Sequence, residues 1–380
     1  MASTASLRGR WQHMHPRARS LIATSVKLAL TLGAFYLLLG HEVRTDDGRH
    51  VTALRAIVEY LPQIDAGVFW GFLALAAGVK FVGILASMYR WSILLRGQGI
   101  RFPFGHVFGA FLIGRFLGTF LPSTVGLDGY KLYDAARFSR QTAAVTAATA
   151  VEKVLGIVGI FITFLVAFPL GYAILGAHAA LVAAVTVPVA LAIISLFFLL
   201  AFRPALVQLL LTRVPFPGRQ RIGGFLGRVS DAAAAYRGQK LLLVNAAAQS
   251  FLVHFCTAAM YFFTALAIGA DHARFWEVTF ASTIQIFATV ISPFTIAGEG
   301  VREIVQALLL AKRIGTTQSI ISAALGFWAA EALTLGGGWF WWRRGTHYRP
   351  AYVLVDGEPV GEPGRSPARA SARRLEEDVR

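Results

Sequence analysis

Two short stretches place charged residues beside proline and glycine in a way that suits recognition of an anion. The first runs from Phe120 to Lys131 and holds Pro122, Gly126, Asp128 and Lys131; the second runs from Ile291 to Glu303 and holds Pro293, Gly298, Glu299, Gly300, Arg302 and Glu303. Each is an apolar helix, a proline, a glycine-bearing turn, and then an acid followed three residues later by a base. On a helix that restarts after the glycine, Asp128 and Lys131, or Glu299 and Arg302, share one face. Such a restart also aims free N–H groups and a positive dipole end into the site, and with Lys131 and Arg302 beside it this makes a phosphate-sized anion site. Asp128, Glu299 and Glu303 would orient the bases or carry protons. The same residues could instead form solvated connecting turns.

Other charges interrupt apolar runs. Glu152 and Lys153 lie about ten residues into the run at 143–170, which favours a buried polar role. Arg115, within Phe111–Gly118, must find a partner or snorkel to an interface. Glu331 is expected to face other helices. Arg90 and Trp91 read as an interfacial anchor. Gly105, Gly109, Gly114 and Gly118 recur at helical spacing, which points to close helix packing.

The elements that would position these residues are membrane helices. Hydrophobic residues make up 56% of the 380 and charged residues 15%, well below the roughly 25% of a soluble domain. Apolar runs cover about 20–40, 68–90, 105–121, 143–170, 175–202, 241–268, 276–293 and 318–342. A full crossing takes about 20 residues, and the runs at 105–121 and 276–293 are short and end at Pro122 and Pro293. Short segments broken by proline or glycine in corresponding halves mark discontinuous helices. The expected fold is therefore an all-α polytopic membrane protein of six to eight transmembrane helices. Two broken or re-entrant hairpins, about 105–138 and 276–311, would be related by an inverted repeat; eight complete crossings is the competing count.

Orientation follows the basic loops. The segment 203–240 carries six arginines and Lys240 against Asp231 alone, and the N-terminus carries Arg8, Arg10, Arg17 and Arg19 without an acid. Both termini are expected in the cytoplasm of a multi-pass inner-membrane protein. Lys312 and Arg313 would then lie outside, against the trend. Residues 41–66, with five acids and three arginines, read as an external loop with a short amphipathic helix. The expected layout is a basic N-terminus at 1–19, a membrane domain at 20–345 and a disordered tail at 346–380.

Several function classes are disfavoured. The net charge of +16 is spread between apolar runs rather than along one basic stripe, which argues against nucleic acid. Cys256 stands alone in an apolar run and reads as a small buried hydrophobe. The histidines show no metal spacing and there is no phosphate-binding loop for ATP. Neither a cofactor nor a catalytic residue is expected.

Taken together, these motifs resemble the flippase-like membrane domain of the lysylphosphatidylglycerol synthase (multiple peptide resistance factor) family. The matching residues are Tyr89-Arg90-Trp91 through Arg96, Gly114-Arg115-Phe116, Leu121-Pro122 through Gly126 with Asp128 and Lys131, Val151-Glu152-Lys153, and Gly298-Glu299-Gly300-Val301-Arg302-Glu303. The resemblance spans about 20–345 and implies a fold that moves or binds anionic phospholipid or polyprenyl-phosphate-linked lipid. Relatives often carry Gly-Gly-Asp and an arginine where this chain has Gly126-Leu127-Asp128 and Lys131, and Glu-Arg in place of Glu152-Lys153. Lysine keeps the charge but loses the bidentate fork, so the head group recognised can differ. The soluble domain that transfers lysine is absent, which speaks against lysyl transfer. The expectation is a flippase- or scramblase-type lipid transporter. The alternatives are an embedded transferase or a scaffold in lipid or glycolipid (including hopanoid) synthesis, with lipids, lipid-synthesis enzymes or a second copy as partners.

Overall fold

The computed structural model describes residues 16–44, 49–120, 125–213, 219–291, 300–345 and 348–360. Pro122, Pro293, Gly298 and Glu299 lie outside them. Helices dominate: α1 (Pro16–Gly40), α2 (Ala53–Tyr60), α3 (Ala66–Gly97), α4 (Phe104–Phe120), α5 (Val125–Ser139), α6 (Thr142–Gly171) and α7 (Ala179–Phe202), then α8 (Pro204–Arg213), α9 (Arg219–Ala234), α10 (Lys240–Ala267), α11 (Phe275–Ile291), α12 (Val301–Ile314), α13 (Thr316–Ala332) and α14 (Gly336–Arg344). Four stretches among the described residues are long and apolar enough to cross a bilayer: 66–97, 142–202, 240–267 and 316–344. The second of these holds both α6 and α7, separated by a 3-10 turn at Tyr172–His178. Shorter apolar stretches lie at 28–40 and 104–118.

Local signals explain the boundaries. Asp65 caps α3 by accepting from the Val68 N–H at 2.8 Å, and Thr52 caps α2 in the same way through the Arg55 N–H. Gly300 opens α12 at φ +82°, a conformation that a side chain would strain. A two-stranded ribbon, β1 (Glu42–Arg44) with β2 (His50–Thr52), precedes α2. The loop after α1 is therefore more structured than the amphipathic helix alone would make it.

The centre of the bundle is the antiparallel pair α3 and α10, packed through small residues. A Cβ on Gly83 would stand 3.1 Å from the Cys256 Cβ. A Cβ on Gly159 of α6 would stand 2.6 Å from the Ser250 carbonyl oxygen, so α6 joins the same seam. At one end, the Tyr236 hydroxyl donates to the Leu94 carbonyl at 2.9 Å and the Gln239 amide to the Gly97 carbonyl at 3.0 Å. Burial raises the Tyr236 phenol above its usual range, so it stays a donor. That end also holds the largest apolar cluster, which includes Trp91, Leu94, Leu95, Leu155 and Leu243.

Two helical hairpins attach at opposite ends of α6. In α4–α5, Gly114 and Gly118 face Leu127 and Gly126 closely enough that a Cβ on Gly114 would reach 2.9 Å from the Leu127 carbonyl oxygen. Gly109 instead makes room for the Arg344 guanidinium, and Gly105 meets nothing. The open end of this hairpin is closed by His106 Nε2 and Asp134 Oδ2 at 2.8 Å, with Arg344 Nη1 at 3.5 Å from Asp134 Oδ1. In α11–α12, the open end is closed by Arg313 and Glu277 at 3.4 Å, and Arg313 also donates to the Ala173 carbonyl. The first open end adjoins the start of α6 and the second adjoins its finish.

The expectation of disorder from 346 onward fails for residues 348–360. Strands β4 (Leu354–Val355) and β5 (Glu358–Pro359) form a sheet with β3 (Ile100–Arg101), in the order β3-β4-β5. Tyr348 lies under the Arg344 guanidinium, 4.4 Å from it to the ring centroid, and stacks on His106. Composition missed this because the anchors are one aromatic ring and a few backbone bonds, against a background of Pro, Gly and charge. Tyr348→Ala is expected to cost about 1–3 kcal/mol and to speed chymotryptic cleavage after Tyr352, which is exposed, read by limited proteolysis and a thermal midpoint.

Candidate functional site

The first charge network is built where α5, α6 and α3 meet. Glu152, almost fully buried, accepts from Lys131 Nζ at 2.8 Å on one oxygen and faces Arg90 Nη2 at 3.3 Å on the other. Lys131 also stands 3.5 Å from Asp128 Oδ1, one turn back on α5. Asp128 in turn pairs with Lys153. The Lys131 ammonium lies over Trp91 at 4.8 Å and Phe111 at 5.1 Å from the ring centroids, a cation–π setting that suits a desolvated charge. Arg90 is tied further by Ser250 Oγ at 2.9 Å. Three cations thus face two carboxylates, and the network opens outward through Lys153, whose side chain is 49% exposed.

Arg90 and Trp91 are therefore not an interfacial anchor. Helix α3 continues to Gly97, which carries position 90 inward, and a buried guanidinium must be paired. Glu152 on the neighbouring helix supplies the charge.

A second network joins α4, α12 and α13. Arg115 Nη2 pairs with Glu331 Oε1 at 3.0 Å and its Nε donates to Thr334, so Arg115 is paired across the bundle rather than snorkelling, and Glu331 does face other helices. Arg302 stands 3.2 Å from Glu303, lies 4.5 Å from the Phe327 ring centroid and faces Tyr261. Glu303 also accepts the Gly300 N–H at 2.8 Å, so it fastens the start of α12 while it orients Arg302. The Arg302 Nη2 atom is buried without a hydrogen-bond partner among the described residues.

The structure thus brings Asp128, Lys131, Glu152 and Lys153 together and places Arg302 and Glu303 in a separate cluster, not in one shared pocket. Sequence reasoning overlooked further polar residues on α3 and α10 beside these clusters. Lys80 of α3 donates to Thr257 Oγ1 at 3.0 Å and lies within electrostatic range of Arg115, Glu331 and Arg302. His254 lies within range of both Arg90 and Lys80. On α10, Ser250, His254, Thr257, Tyr261 and Thr264 follow one another at steps of four, three, four and three, which is one face of a helix. Lys80, Ser87 and Arg90 answer them from α3. That spacing inside an apolar run was visible in the sequence; what hid it is that most of its members are small hydroxyl residues, individually common in membrane helices.

The first network presents three cations to two carboxylates, a balance that suits an anion; the described residues gather no group of three histidine, cysteine or acidic side chains suited to a metal. No curated protein matches the chain. The family model for the lysylphosphatidylglycerol synthase TM region matches residues 24–336, and with its buried charge networks inside a bundle of apolar helices, the chain belongs to that membrane-protein family.

Proposed function

We propose that this protein is a lipid transporter of the flippase or scramblase type, without chemistry on its substrate, for an anionic phospholipid or polyprenyl-phosphate-linked lipid. The carrying observation is the network of Arg90, Lys131, Lys153, Asp128 and Glu152, buried at Arg90, Lys131 and Glu152 and open at Lys153, in which cations outnumber carboxylates by one. A surplus positive charge at bilayer depth costs several kcal/mol unless an anion meets it, and a lipid phosphate is the anion a bilayer supplies. The hairpins support the same reading. Helices α4, α5, α11 and α12 have 17, 15, 17 and 14 residues. At about 1.5 Å per residue they span about 21–26 Å, short of a core of about 30 Å. Their open ends lie at opposite ends of α6, which fits re-entrant elements of an inverted repeat entering from the two sides. On this reading the protein sits in the inner membrane with both termini in the cytoplasm.

The test is transport. Purified protein in vesicles is expected to move a labelled anionic lipid between leaflets faster than protein-free vesicles do. Asp128→Asn and Arg302→Ala are each expected to slow it about tenfold, the loss given by roughly 1.4 kcal/mol of binding. Vesicles with wild-type protein that move neither phospholipid nor polyprenyl-phosphate probes faster than empty ones would defeat the reading.

A further inference from the structure

We infer that Lys80, with Thr257, forms a binding station for a lipid phosphate beside the second charge network; the assignment rests on the transport reading above. Lys80 lies 14 residues from the start of α3 and 17 from its end, about 21 and 26 Å along the axis. A lysine side chain reaches about 6 Å, so snorkelling past either end of this helix is out of range.

Its partners do not neutralise it. The Thr257 hydroxyl donates to the Val253 carbonyl at 2.7 Å and accepts from Lys80 at 3.0 Å, which fixes the ammonium without countering its charge. Among the described residues no carboxylate lies within ion-pair distance of Lys80. Glu331, whose charge reaches it, is already engaged by Arg115. Arg115 and Arg302 add positive charge. An ammonium has three donors, and Thr257 uses one.

A second observation points the same way. Arg302, whose side chain is 6% exposed, has no partner for its Nη2 atom among the described residues. Donors that the described residues leave unused on these two cations are what a phosphate, with several acceptor oxygens, would satisfy. His254 lies one turn from both Thr257 and Ser250 and within range of Arg90, so the polar face of α10 links this station to the first network. A head group at this station would meet Lys80 together with Arg115 and Arg302.

The full-length purified protein tests this by ligand-dependent thermal midpoints with three probes: a short-chain phosphatidylglycerol, a short-chain phosphatidylcholine and inorganic phosphate. The anionic lipid is expected to raise the midpoint of the wild type and of Lys80→Arg. Its affinity is expected to fall at least tenfold in Lys80→Met and about threefold in Thr257→Val, which keeps the shape of the side chain. Without ligand, Lys80→Met is expected to be at least as stable as wild type, since it removes an unmatched charge. Equal affinity in wild type, Lys80→Met and Thr257→Val would overturn the station. A midpoint shift by inorganic phosphate but not by the anionic lipid would assign the site to the free ion and overturn the lipid assignment. In vesicles, transport that Lys80→Met leaves unchanged sinks the station while leaving the transport reading intact. A wild type that moves no lipid sinks the transport reading, whatever the binding result.

Discussion

Glu152→Gln is expected to destabilise the folded protein by roughly 3–5 kcal/mol, the usual cost of stripping one partner from a buried ion pair. The carboxylate faces two cations, Lys131 at 2.8 Å and Arg90 at 3.3 Å. Glutamine keeps the shape and one acceptor oxygen but leaves Arg90 without a carboxylate and Lys131 with Asp128 alone, at 3.5 Å. Lys131→Met alone is expected to cost less, because Arg90 remains to match Glu152. The double variant Glu152→Gln/Lys131→Met is expected to recover part of the loss. A double-mutant cycle on unfolding midpoints measures the coupling. Trp91, under the Lys131 ammonium, offers a local fluorescence reporter. Wild-type stability in Glu152→Gln would mean that water reaches Arg90 and Lys131 freely, and the surplus-charge argument would lose its basis.

Gly126→Leu is expected to prevent the first hairpin from closing. A Cβ at this position would overlap the Gly118 backbone, with the Gly118 nitrogen at 2.6 Å, and neither chain can yield because both are helical. Overpacking a core commonly costs 1–3 kcal/mol; backbone against backbone is expected to exceed about 3 kcal/mol and to leave little monodisperse protein in size-exclusion chromatography. Gly105→Leu is the control: nothing lies within 4 Å of its Cβ, and a change within about 0.5 kcal/mol is expected. If both variants behave alike, the hairpin is not held by this glycine contact.

The all-α membrane architecture was legible because it rests on local quantities: run length, hydropathy and the placement of basic loops. Gly114 and Gly118 were legible for the same reason, since a helix converts their spacing into one face. The pairing of Lys131 with Asp128 followed from a three-residue step. Arg90 was misread because the stretch Tyr89-Arg90-Trp91 has the composition of an interface, whereas its depth depends on how far α3 continues and on Glu152, which is 62 residues away. The two clusters could not be separated in advance, because which cation meets which carboxylate is decided by helix packing. Lys80 could have been flagged on intramembrane charge alone. Its importance depends on Thr257, 177 residues on. The strands at 354–359 carry no alternating pattern long enough to notice, and only β3 gives them a partner.

The distances in sequence between charged groups and their partners bear on how the chain is made. Arg115 waits 216 residues for Glu331, Lys80 waits 177 for Thr257, and Arg90 waits 160 for Ser250. At about 5–20 residues per second, the ribosome leaves Arg115 without Glu331 for about 10–40 s. Helices α3 and α4 therefore reach the insertion machinery before the second half that completes them has been synthesised. Helix α4, which is short and carries Arg115, is therefore expected to be the poorer independent insertion unit until α13 emerges.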